Sequence, residues 1–330
     1  MIGDLLDRGM DFAVAPGYSV LGYRVRERSW DPIASRRLAG RRILVTGASS
    51  GIGEALCHSL HAAGAEVHML ARDAQRGEAA RRRVLEAGGD GEVALWLCDV
   101  SDLEAIHRFA AAFSERMEAL DGIVHNAGVL TAERERSAQG HELTFATHVL
   151  GPLLLTSLLQ PALRRGNEAD VVFVSSGGMY TARAELDDLE LERRSFDGPR
   201  FYAHAKRLQV MLAGELARRQ RGSGVSYSSL HPGWVDTPGL EASLPGFHRA
   251  LRPFLRDTAQ GADTALWLLA GGAAHARPGA FWHDRRPRPT HRLPWTHAGA
   301  SAGRRLYAEL ASIAGIDAVP RMTLAPGAAR

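Results

Sequence analysis

Residues 41–53 read RRILVTGASSGIG: a short apolar run, a glycine-rich turn, and the start of a stretch with helical spacing. In such a turn Gly47 permits a tight bend, Gly51 lets the backbone approach a pyrophosphate, and Gly53 lets the helix pack closely on the strand. The phosphates would face the helix N-terminus, where free N–H groups and the helix dipole favour negative charge. Placed between a strand and a helix, the pattern indicates a dinucleotide-binding unit.

The same alternation of apolar runs and helical stretches continues to about residue 290. The further apolar runs are AEVHML, EVALWLCD, GIVHNAG, DVVFVSS, GVSYSSLHPG and GAFWHD. Strands that alternate with helices predict a parallel sheet covered on both faces, and right-handed crossovers make it doubly wound. We therefore expect an α/β fold with a single Rossmann-like, doubly wound parallel sheet of about seven strands, in the order 3-2-1-4-5-6-7, with helices on both faces.

Two segments lie outside this rhythm, residues 1–40 and residues 291–330, and we expect them to be extensions of one dinucleotide-binding catalytic domain, residues 41–290. The N-terminal extension mixes apolar and aromatic residues with arginines. We expect it to dock on the domain or on a membrane surface without spanning a bilayer. The stretch RRPRPTHRLPW, residues 285–295, is rich in proline and arginine and is expected to run irregularly over the surface.

The composition of the 330 residues argues against several classes of function. Apolar residues make up 45% and charged residues 23%, and the formal net charge is +3, as in an ordinary soluble protein. Without a basic stripe and interleaved aromatics, nucleic acid is not favoured as a partner. Cys57 and Cys98 have no metal or redox spacing, so we expect no metal and a cytoplasmic location. The uncharged run 143–163, interrupted by Gly151 and two prolines, predicts a buried helix.

Three further strand ends carry candidate cofactor-binding residues. The second strand ends in HMLARD, where Ala71 replaces the acid typical of an NAD site and Arg72 follows. A guanidinium can pair with a 2′-phosphate, which favours NADP(H) over NAD(H), although a solvated arginine is the alternative. Asp99 ends the third strand, placed to accept from the adenine amino group. The fourth strand ends in HNAG, which leaves room beside the adenosine ribose.

Lysine and arginine together number 40, and only one of these residues, Lys206, is a lysine. It follows Tyr202 by four residues on a predicted helix, so the two share a face. A free tyrosine has a pKa of about 10 and is a poor acid/base group at neutral pH. A nearby ammonium and an oxidised nicotinamide ring lower that pKa, and three rotatable donors suit two ribose hydroxyls. The spacing therefore predicts Tyr202 as general acid/base with Lys206 as its partner.

The motifs TGASSGIG, HNAG, VSSGG, YAHAK and HPGWVDT occur in the order found in the short-chain dehydrogenase/reductase superfamily, which the chain resembles over about residues 40–285. The runs VSSGGMY, FDG, HPGW, DTPG, PGFH and AQGADT are similar to its member 12 type. The resemblance implies an NAD(P)-dependent oxidoreductase that interconverts a carbonyl and an alcohol by hydride transfer. It also implies that Ser176 holds the substrate oxygen while Ser175 is structural, and that HPGWVDT grips the nicotinamide carboxamide.

The predicted site residues combine the residue patterns with this resemblance. The cofactor-binding set is Thr46, Gly47, Ser49, Ser50, Gly51, Ile52, Gly53, Arg72, Asp99, Val100, Asn126, Ala127, Gly128, Tyr202, Lys206, Pro232, Gly233, Val235 and Thr237, and the catalytic set is Ser176, Tyr202, Lys206 and His148. The family often has an asparagine in place of His148, where it anchors a water for a proton relay. Histidine can hold a water or shuttle a proton itself, or it can be a packed helix residue with no catalytic part.

Two segments are candidates to surround the substrate, which we expect to be a small apolar carbonyl or alcohol. ELDDLELERRSFDGPR, residues 185–200, is expected to form a wall or lid. An apolar series with roughly helical spacing follows, made of Leu240, Leu244, Phe247, Leu251, Phe254 and Leu255. It covers the substrate or packs on the core or on a second subunit, which leaves a homo-oligomer open. The rival functions are a cofactor-binding regulatory or interaction protein and a non-redox epimerase or dehydratase.

Overall fold

The computed structural model describes residues 7, 9–11, 13–272, 274–299 and 301–316. One eight-stranded sheet forms its centre, in the order β3-β2-β1-β4-β5-β6-β7-β8. The strands are β1 Arg42–Thr46, β2 Glu66–Ala71, β3 Val93–Leu97, β4 Gly122–His125, β5 Ala169–Val174, β6 Val225–Leu230, β7 Phe281–His283 and β8 Arg286–Arg288. All neighbouring pairs from β3 to β7 are parallel, which confirms the predicted fold and strand order.

Helices cover both faces of the sheet. Their bounds are α1 Ala15–Tyr18, α2 Val20–Glu27, α3 Gly51–Ala62, α4 Ala74–Glu86, α5 Leu103–Arg116, α6 Leu143–Arg165, α7 Gly198–Arg219, α8 Pro238–Ser243, α9 Pro245–Leu251, α10 Thr258–Leu269 and α11 Ala302–Ile313. One core cluster joins α5, α6, α7 and α11 to the sheet, and the other joins α3, α4 and α10 to the opposite face. Both clusters leave the carboxyl ends of the strands accessible for a site.

Helix α6 is long and apolar enough to cross a membrane by length and composition. However, 83% of its apolar window is buried inside the protein, as in the core helix of a globular domain. The segment Ala146–Leu150 within it forms a π-helical turn. Such single turns are common at functional sites, and this one carries His148.

Strand β8 corrects the expectation of an irregular course for residues 285–295. Residues Arg286–Arg288 pair antiparallel with β7 at the end of the sheet. Pro287 is tolerated there because an edge strand needs hydrogen bonds on one side only. Arg288 is anchored through two bonds to the Asp7 carboxylate, at 2.8 and 2.9 Å, so this stretch is held firmly on the domain.

Both extensions contact the central domain. The ring of Tyr18, at the end of α1, is 3% exposed, and the backbone N–H of Trp234 donates to the Tyr18 carbonyl oxygen at 2.8 Å. At the other end of the chain, Leu306 and Leu310 of α11 are completely buried in the same core cluster as α6 and α7. Residues 317–330 of the C-terminal extension lie outside the described residues.

Candidate active site

A cavity of about 620 Å³ lies at the carboxyl ends of the parallel strands. The predicted site residues that line it are Gly47, Ser49, Ser50, Gly51, Ile52, Arg72, Asp99, Val100, Asn126, Ala127, Gly128, His148, Ser176, Tyr202, Lys206, Pro232, Gly233, Val235 and Thr237. Thr46 and Gly53 are the two predicted residues outside this lining. Within the described ranges, no group of three His, Cys, Asp or Glu side chains is arranged to hold a metal ion.

The glycine-rich turn is braced from β4. Gly47 has φ +64°, and a Cβ there would lie 2.7 Å from Cα of Ala127, so a side chain fits neither the conformation nor the space. The Asn126 side-chain amide donates to the carbonyl oxygens of Thr46 and Gly47 at 3.1 and 3.2 Å. The Thr46 hydroxyl accepts the backbone N–H groups of Asn126 and Ala127, both at 3.0 Å. The hydrogen bonds of Thr46 and Asn126 therefore hold the glycine-rich turn in its conformation.

Helix α3 begins directly after this turn. Its N-cap residue is Ser50, whose side chain makes no capping hydrogen bond. The N–H groups of the first turn of α3 therefore remain available, and together with the helix dipole they suit an anion such as a diphosphate.

Two arginines lie at the β2 end of the cavity. Arg72 follows β2, as predicted, and Arg76 lies in the first turn of α4; both side chains are exposed and line the cavity. Neither guanidinium has a hydrogen-bond or ion-pair partner among the described residues, so both remain available for an anion. The sequence analysis missed Arg76. The N-cap residue Asp73, which accepts the Arg76 backbone N–H at 2.7 Å, is the local signal that places Arg76 beside the strand end.

Asp99 follows β3 and lines the cavity between Cys98 and Val100. Its Oδ1 atom accepts hydrogen bonds from the backbone N–H and the hydroxyl of Ser101, at 2.8 and 2.7 Å. One carboxylate oxygen of Asp99 thus holds the turn after β3, and this restricts the position of its other carboxylate oxygen.

The two serines at the end of β5 have different surroundings. The Ser175 hydroxyl donates to the carbonyl oxygen of Lys206 at 2.9 Å and is buried, so it ties β5 to α7. Ser176 lines the cavity, and its hydroxyl accepts the backbone N–H of Gly178 at 3.1 Å. Ser176 thereby caps the 3-10 turn Gly177–Thr181 while its hydroxyl faces the cavity.

Tyr202 and Lys206 lie on one face of α7, beside Ser176. The Lys206 ammonium is 5.4 Å from the centre of the Tyr202 ring and donates to the Val174 carbonyl oxygen at 2.7 Å. Burial lowers the pKa of Lys206 to about 7. Burial also raises the pKa of Tyr202 to about 12, against the opposing effect of its hydrogen bond with Ser176.

The predicted lowering of the Tyr202 pKa involved both the Lys206 ammonium and an oxidised nicotinamide ring, and it stays a prediction. The surrounding protein stabilises the neutral form of both side chains, because each charged form would lose its hydration. A lowered tyrosine pKa would require added positive charge, such as that of an oxidised nicotinamide ring.

His148 lies in the π-helical turn of α6 and is completely buried. Its Nε2 atom is 3.0 Å from the Val129 nitrogen and 2.9 Å from the Val129 oxygen, so it bonds the loop after β4 in either tautomer. Its ring meets the Tyr202 ring edge-on, with centroids 5.3 Å apart. Burial, together with the Lys206 charge, holds the pKa of His148 well below 6.5, so the ring is neutral at pH 7. Its Nδ1 atom has no partner among the described residues.

The other end of the cavity is apolar and is formed in part by α8 and α9. Its lining side chains include Leu130, Pro199, Trp234, Leu240, Leu244 and Phe247. The second half of the predicted apolar series does not line the cavity. Leu255 is buried, with 7% of its surface exposed, and Phe254 has 46% of its surface exposed. The reason is that the chain breaks between two short helices at Leu244–Pro245, so the series does not form one helical face.

Residues 185–200, expected to form a wall or a lid, contribute one residue to the wall. Within this segment, Pro199 is the cavity-lining residue. The remainder packs on the loop before α6: Glu190 accepts the backbone N–H of Glu142 at 2.7 Å, and Arg134 donates to the carbonyl oxygens of Leu191 and Arg194. The segment supports that loop and does not cover the cavity as a lid.

Known proteins are similar to this chain in sequence. The profile of the short chain dehydrogenase family matches residues 41–186. The bovine dehydrogenase/reductase SDR family member 12 is 39% identical over 86% of this chain and 89% of its own length. Human retinol dehydrogenase 12 is 31% identical over 75% of this chain and 79% of its own length.

Solved structures agree with the sequence matches. An uncharacterised protein of Mycobacterium paratuberculosis superposes with a TM-score of 0.67 at 26% identity, covering 84% of this chain and 94% of that one. With the glycine-rich turn, the serine and the Tyr202–Lys206 pair at one cavity, this chain belongs to the short-chain dehydrogenase/reductase family of NAD(P)-dependent oxidoreductases.

Proposed function

We propose that the enzyme uses NADP(H) to interconvert an apolar carbonyl compound and its alcohol, with Tyr202 as general acid/base. The observation that carries the proposal is the convergence of Ser176, Tyr202 and Lys206 at one cavity, with an apolar lining at one end and two unpaired arginines at the β2 end.

The cofactor fits the groups that the cavity offers. The uncapped N-terminus of α3 suits the diphosphate, and Arg72 and Arg76 suit a 2′-phosphate through charge-assisted hydrogen bonds. Lys206 and the segment from Pro232 to Thr237 would hold the ribose and nicotinamide end. When bound, the cofactor supplies or accepts the hydride.

The protein supplies the proton. In the reductive direction the Tyr202 hydroxyl donates its proton to the carbonyl oxygen as that oxygen gains negative charge, and the Ser176 hydroxyl holds the same oxygen. The pKa of about 12 keeps Tyr202 protonated at neutral pH, as the proton donor in reduction must be. Oxidation would require the phenolate, and therefore the nearby positive charge of Lys206 and of the oxidised cofactor.

In this proposal His148 holds the loop after β4 in position. Its bond to Val129 fixes the loop after β4 against α6, and its ring packs edge-on against the ring of Tyr202. A proton relay through His148 Nδ1 stays a prediction based on the family resemblance, and the neutral state of the ring is compatible with it.

An apolar substrate is supported by the residues at the substrate end. Leu240, Leu244, Phe247 and Trp234 present hydrocarbon and aromatic surface there. Burial of a ligand's hydrocarbon against such surface contributes about 25 cal/mol for each Å² removed from water. The relative named retinol dehydrogenase 12 is named for an apolar alcohol, which agrees with this substrate class.

Peripheral membrane contact, homo-oligomer formation and a cytoplasmic location also belong to the proposal. Helix α2 exposes Leu21 and Val25, at 51% and 38%, one turn apart and near Arg24 and Arg28. That combination suits contact with an anionic bilayer surface. Co-sedimentation with phosphatidylserine vesicles tests the contact, light scattering after gel filtration tests the oligomer, and microscopy of the tagged protein tests the location.

Turnover tests the main proposal. Purified protein with NADPH and a panel of apolar aldehydes and ketones should consume NADPH, followed by its absorbance. Tyr202→Phe should lose turnover and keep cofactor affinity, because the ring remains and only the proton donor is lost. Tightly bound cofactor with no turnover in either direction across the panel would overturn the proposal and favour a non-redox use of the site.

A further inference from the structure

The N-terminal helices α1 and α2 pack behind the substrate end of the cavity. The Tyr18 ring meets the rings of His231, His283 and Trp234 with centroid distances of 4.3, 5.2 and 6.0 Å. His231 and Trp234 line the cavity on their other side. Trp234 in turn meets Phe247 of α9 at 5.4 Å. Tyr18 is therefore separated from the substrate end by a single layer of side chains.

Tyr18 and His231 also contact the turn that carries Ser176. The backbone N–H of Gly177 donates to His231 Nδ1 at 3.0 Å, so the residue after Ser176 is held by the imidazole. A Cβ on Gly177 would lie 2.6 Å from Cε2 of Tyr18 and 3.0 Å from Nε2 of His231. The turn after Ser176 thus lies directly against both rings, and a displacement of Tyr18 would release it.

Two buried arginines fix the backbone around Tyr18. Arg256 donates to the carbonyl oxygens of Tyr18 and Ser19, at 3.1 and 3.2 Å, and to that of Pro232 at 3.3 Å. Arg26 donates to the Gly17 carbonyl oxygen at 2.8 Å. Both guanidiniums bond Asp284, each with a shortest distance of 2.6 Å, so the charges are compensated inside the protein. The cluster holds residues 17–19 and the segment after His231 in one fixed relation.

We propose that Tyr18 is a positioning residue of this enzyme, through which the N-terminal segment Ala15–Tyr18 completes the substrate end of the site. Its ring holds His231 against Gly177, which orients Ser176, and it holds Trp234 against Phe247, which shapes the apolar wall. The N-terminal segment is then a functional part of the site. The inference rests on the proposed reductase function for its kinetic consequence, but its structural consequence is measurable without turnover.

The test compares Tyr18→Ala with Tyr18→Phe and Tyr23→Ala. Tyr18→Phe should keep kcat within about twofold, because the Tyr18 hydroxyl has no hydrogen-bond partner among the described residues. Tyr18→Ala should lower kcat for decanal reduction at least about tenfold, since misplacement of catalytic groups by about 1 Å can cost about a hundredfold. NADPH affinity, measured by fluorescence titration, should change less than about threefold, because most of its proposed contacts lie elsewhere along the cavity.

Tyr23→Ala is the matched control. Tyr23 is a buried tyrosine of the next helix, α2, and its ring packs on Trp30 and over the Arg256 guanidinium, neither of which lines the cavity. Among the described residues its ring meets neither His231 nor Trp234, so the variant disturbs the same arginine but keeps the ring contacts of Tyr18. It should lower thermal stability as Tyr18→Ala does and leave kcat within about twofold. Equal loss of kcat in Tyr18→Ala and Tyr23→Ala would show general destabilisation and overturn the proposal, as would full turnover in Tyr18→Ala.

Two further measurements keep the proposal testable. Hydrogen–deuterium exchange of the peptide 174–182 should be faster in Tyr18→Ala than in Tyr23→Ala, even if no substrate is turned over. Unchanged exchange there overturns the positioning role, independently of whether the enzyme is a reductase. If Tyr18→Ala does not fold, His231→Phe keeps a ring beside Tyr18 and removes the acceptor for Gly177; it should show the same faster exchange and a lower kcat, and a normal kcat would count against the inference.

Discussion

Tyr202 and Lys206 have opposite pKa shifts from one cause. Burial disfavours the charged form of each, so the pKa of the phenol rises to about 12 and that of the amine falls to about 7. Near neutral pH the pair is therefore poised between a neutral and a charged lysine, next to an un-ionised tyrosine. Small changes in local charge, such as those brought by a cofactor, then act on a group that is close to its titration midpoint.

Replacing Lys206 with arginine should separate charge from geometry. Arginine stays protonated, but its planar fork is wider than an ammonium and cannot enter the same buried space beside Val174 without moving Tyr202. We expect Lys206→Arg to lower kcat by about a hundredfold and to weaken NADPH binding. Tyr202→Phe should lower kcat alone. Steady-state kinetics and fluorescence titration of both variants decide, and near-full turnover in Lys206→Arg would contradict this mechanism.

Arg72 and Arg76 should together determine cofactor preference. A charge-assisted hydrogen bond contributes about 1.5–3 kcal/mol, so loss of either arginine should weaken NADPH binding about tenfold or more. Binding of NADH, which lacks the 2′-phosphate, should change little. Arg82, an exposed arginine later in α4, offers a control in the same helix that does not line the cavity. Equal affinities for NADPH and NADH in the unmodified enzyme would refute the assignment.

Most of the predicted site residues line one cavity because they follow strands, and parallel strands end at one edge of the sheet. Arg76 escaped notice because it lies a turn inside a helix. The cluster that His231 and Trp234 form with Tyr18 could not be predicted from local pattern. These residues come together only through the packing of residues 15–27 on strands more than two hundred positions later in the chain.

At the scale of the elements, α8 and α9 should govern substrate size. Phe247 lines the cavity, whereas Phe254, seven residues later, is exposed outside it. Phe247→Ala should raise the KM for a long-chain aldehyde about tenfold, corresponding to about 1.4 kcal/mol of lost apolar contact, with little effect on a short aldehyde. Phe254→Ala should leave both values unchanged. Equal effects of the two variants would exclude α9 as the substrate wall.

The order of the seven parallel strands was predictable because each apolar run is followed by a helical stretch and crossovers have a fixed hand. Strand β8 was not predictable, because its sequence, RPR, shows no alternation of apolar and polar residues and includes a proline. It forms because the turn after β7 returns the chain along an open sheet edge. The lid expected from residues 185–200 was wrong for a similar reason. These residues are rich in charged side chains, and their partners Arg134, His141 and Glu142 lie in another loop.

For the whole molecule, buried neutral histidines should make stability fall steeply in mild acid. Burial lowers the pKa of His68 and His283 to about 4 and that of His125 to about 3, against about 6.5 in an unfolded chain. At a pH between the folded and the unfolded pKa values, the unfolded chain binds more protons than the folded protein. The free energy of unfolding therefore decreases as pH falls below about 6.5. Each such histidine contributes up to about 1.4 kcal/mol per pH unit.

Thermal unfolding measured from pH 7.5 to 5 tests this expectation. The Tm should fall progressively below pH 6.5, and above pH 7 it should still rise with pH, because Lys206, with its pKa lowered to about 7, binds fewer protons in the folded protein than in the unfolded chain. His125→Gln should reduce the slope of stability against pH by the contribution of about one proton, because His125 is completely buried and has Thr156 as its hydrogen-bond partner. His107→Gln, at an exposed position on α5, should leave the curve unchanged. A Tm that is independent of pH over this range would show that the histidines are hydrated in the folded state.

Lys206 is the single ε-amine of the sequence, and it lies at the floor of the cavity with 3% of its surface exposed. A lysine with a pKa of about 7 is largely unprotonated at pH 8 and therefore nucleophilic. Amine-directed acylating reagents, which label dozens of surface positions on most proteins, would here meet one side chain, in the cofactor pocket. Mass spectrometry of the peptide that contains Lys206, which separates this label from that on the α-amino group, would then count occupied and open pockets, with a bound dinucleotide read as protection from labelling.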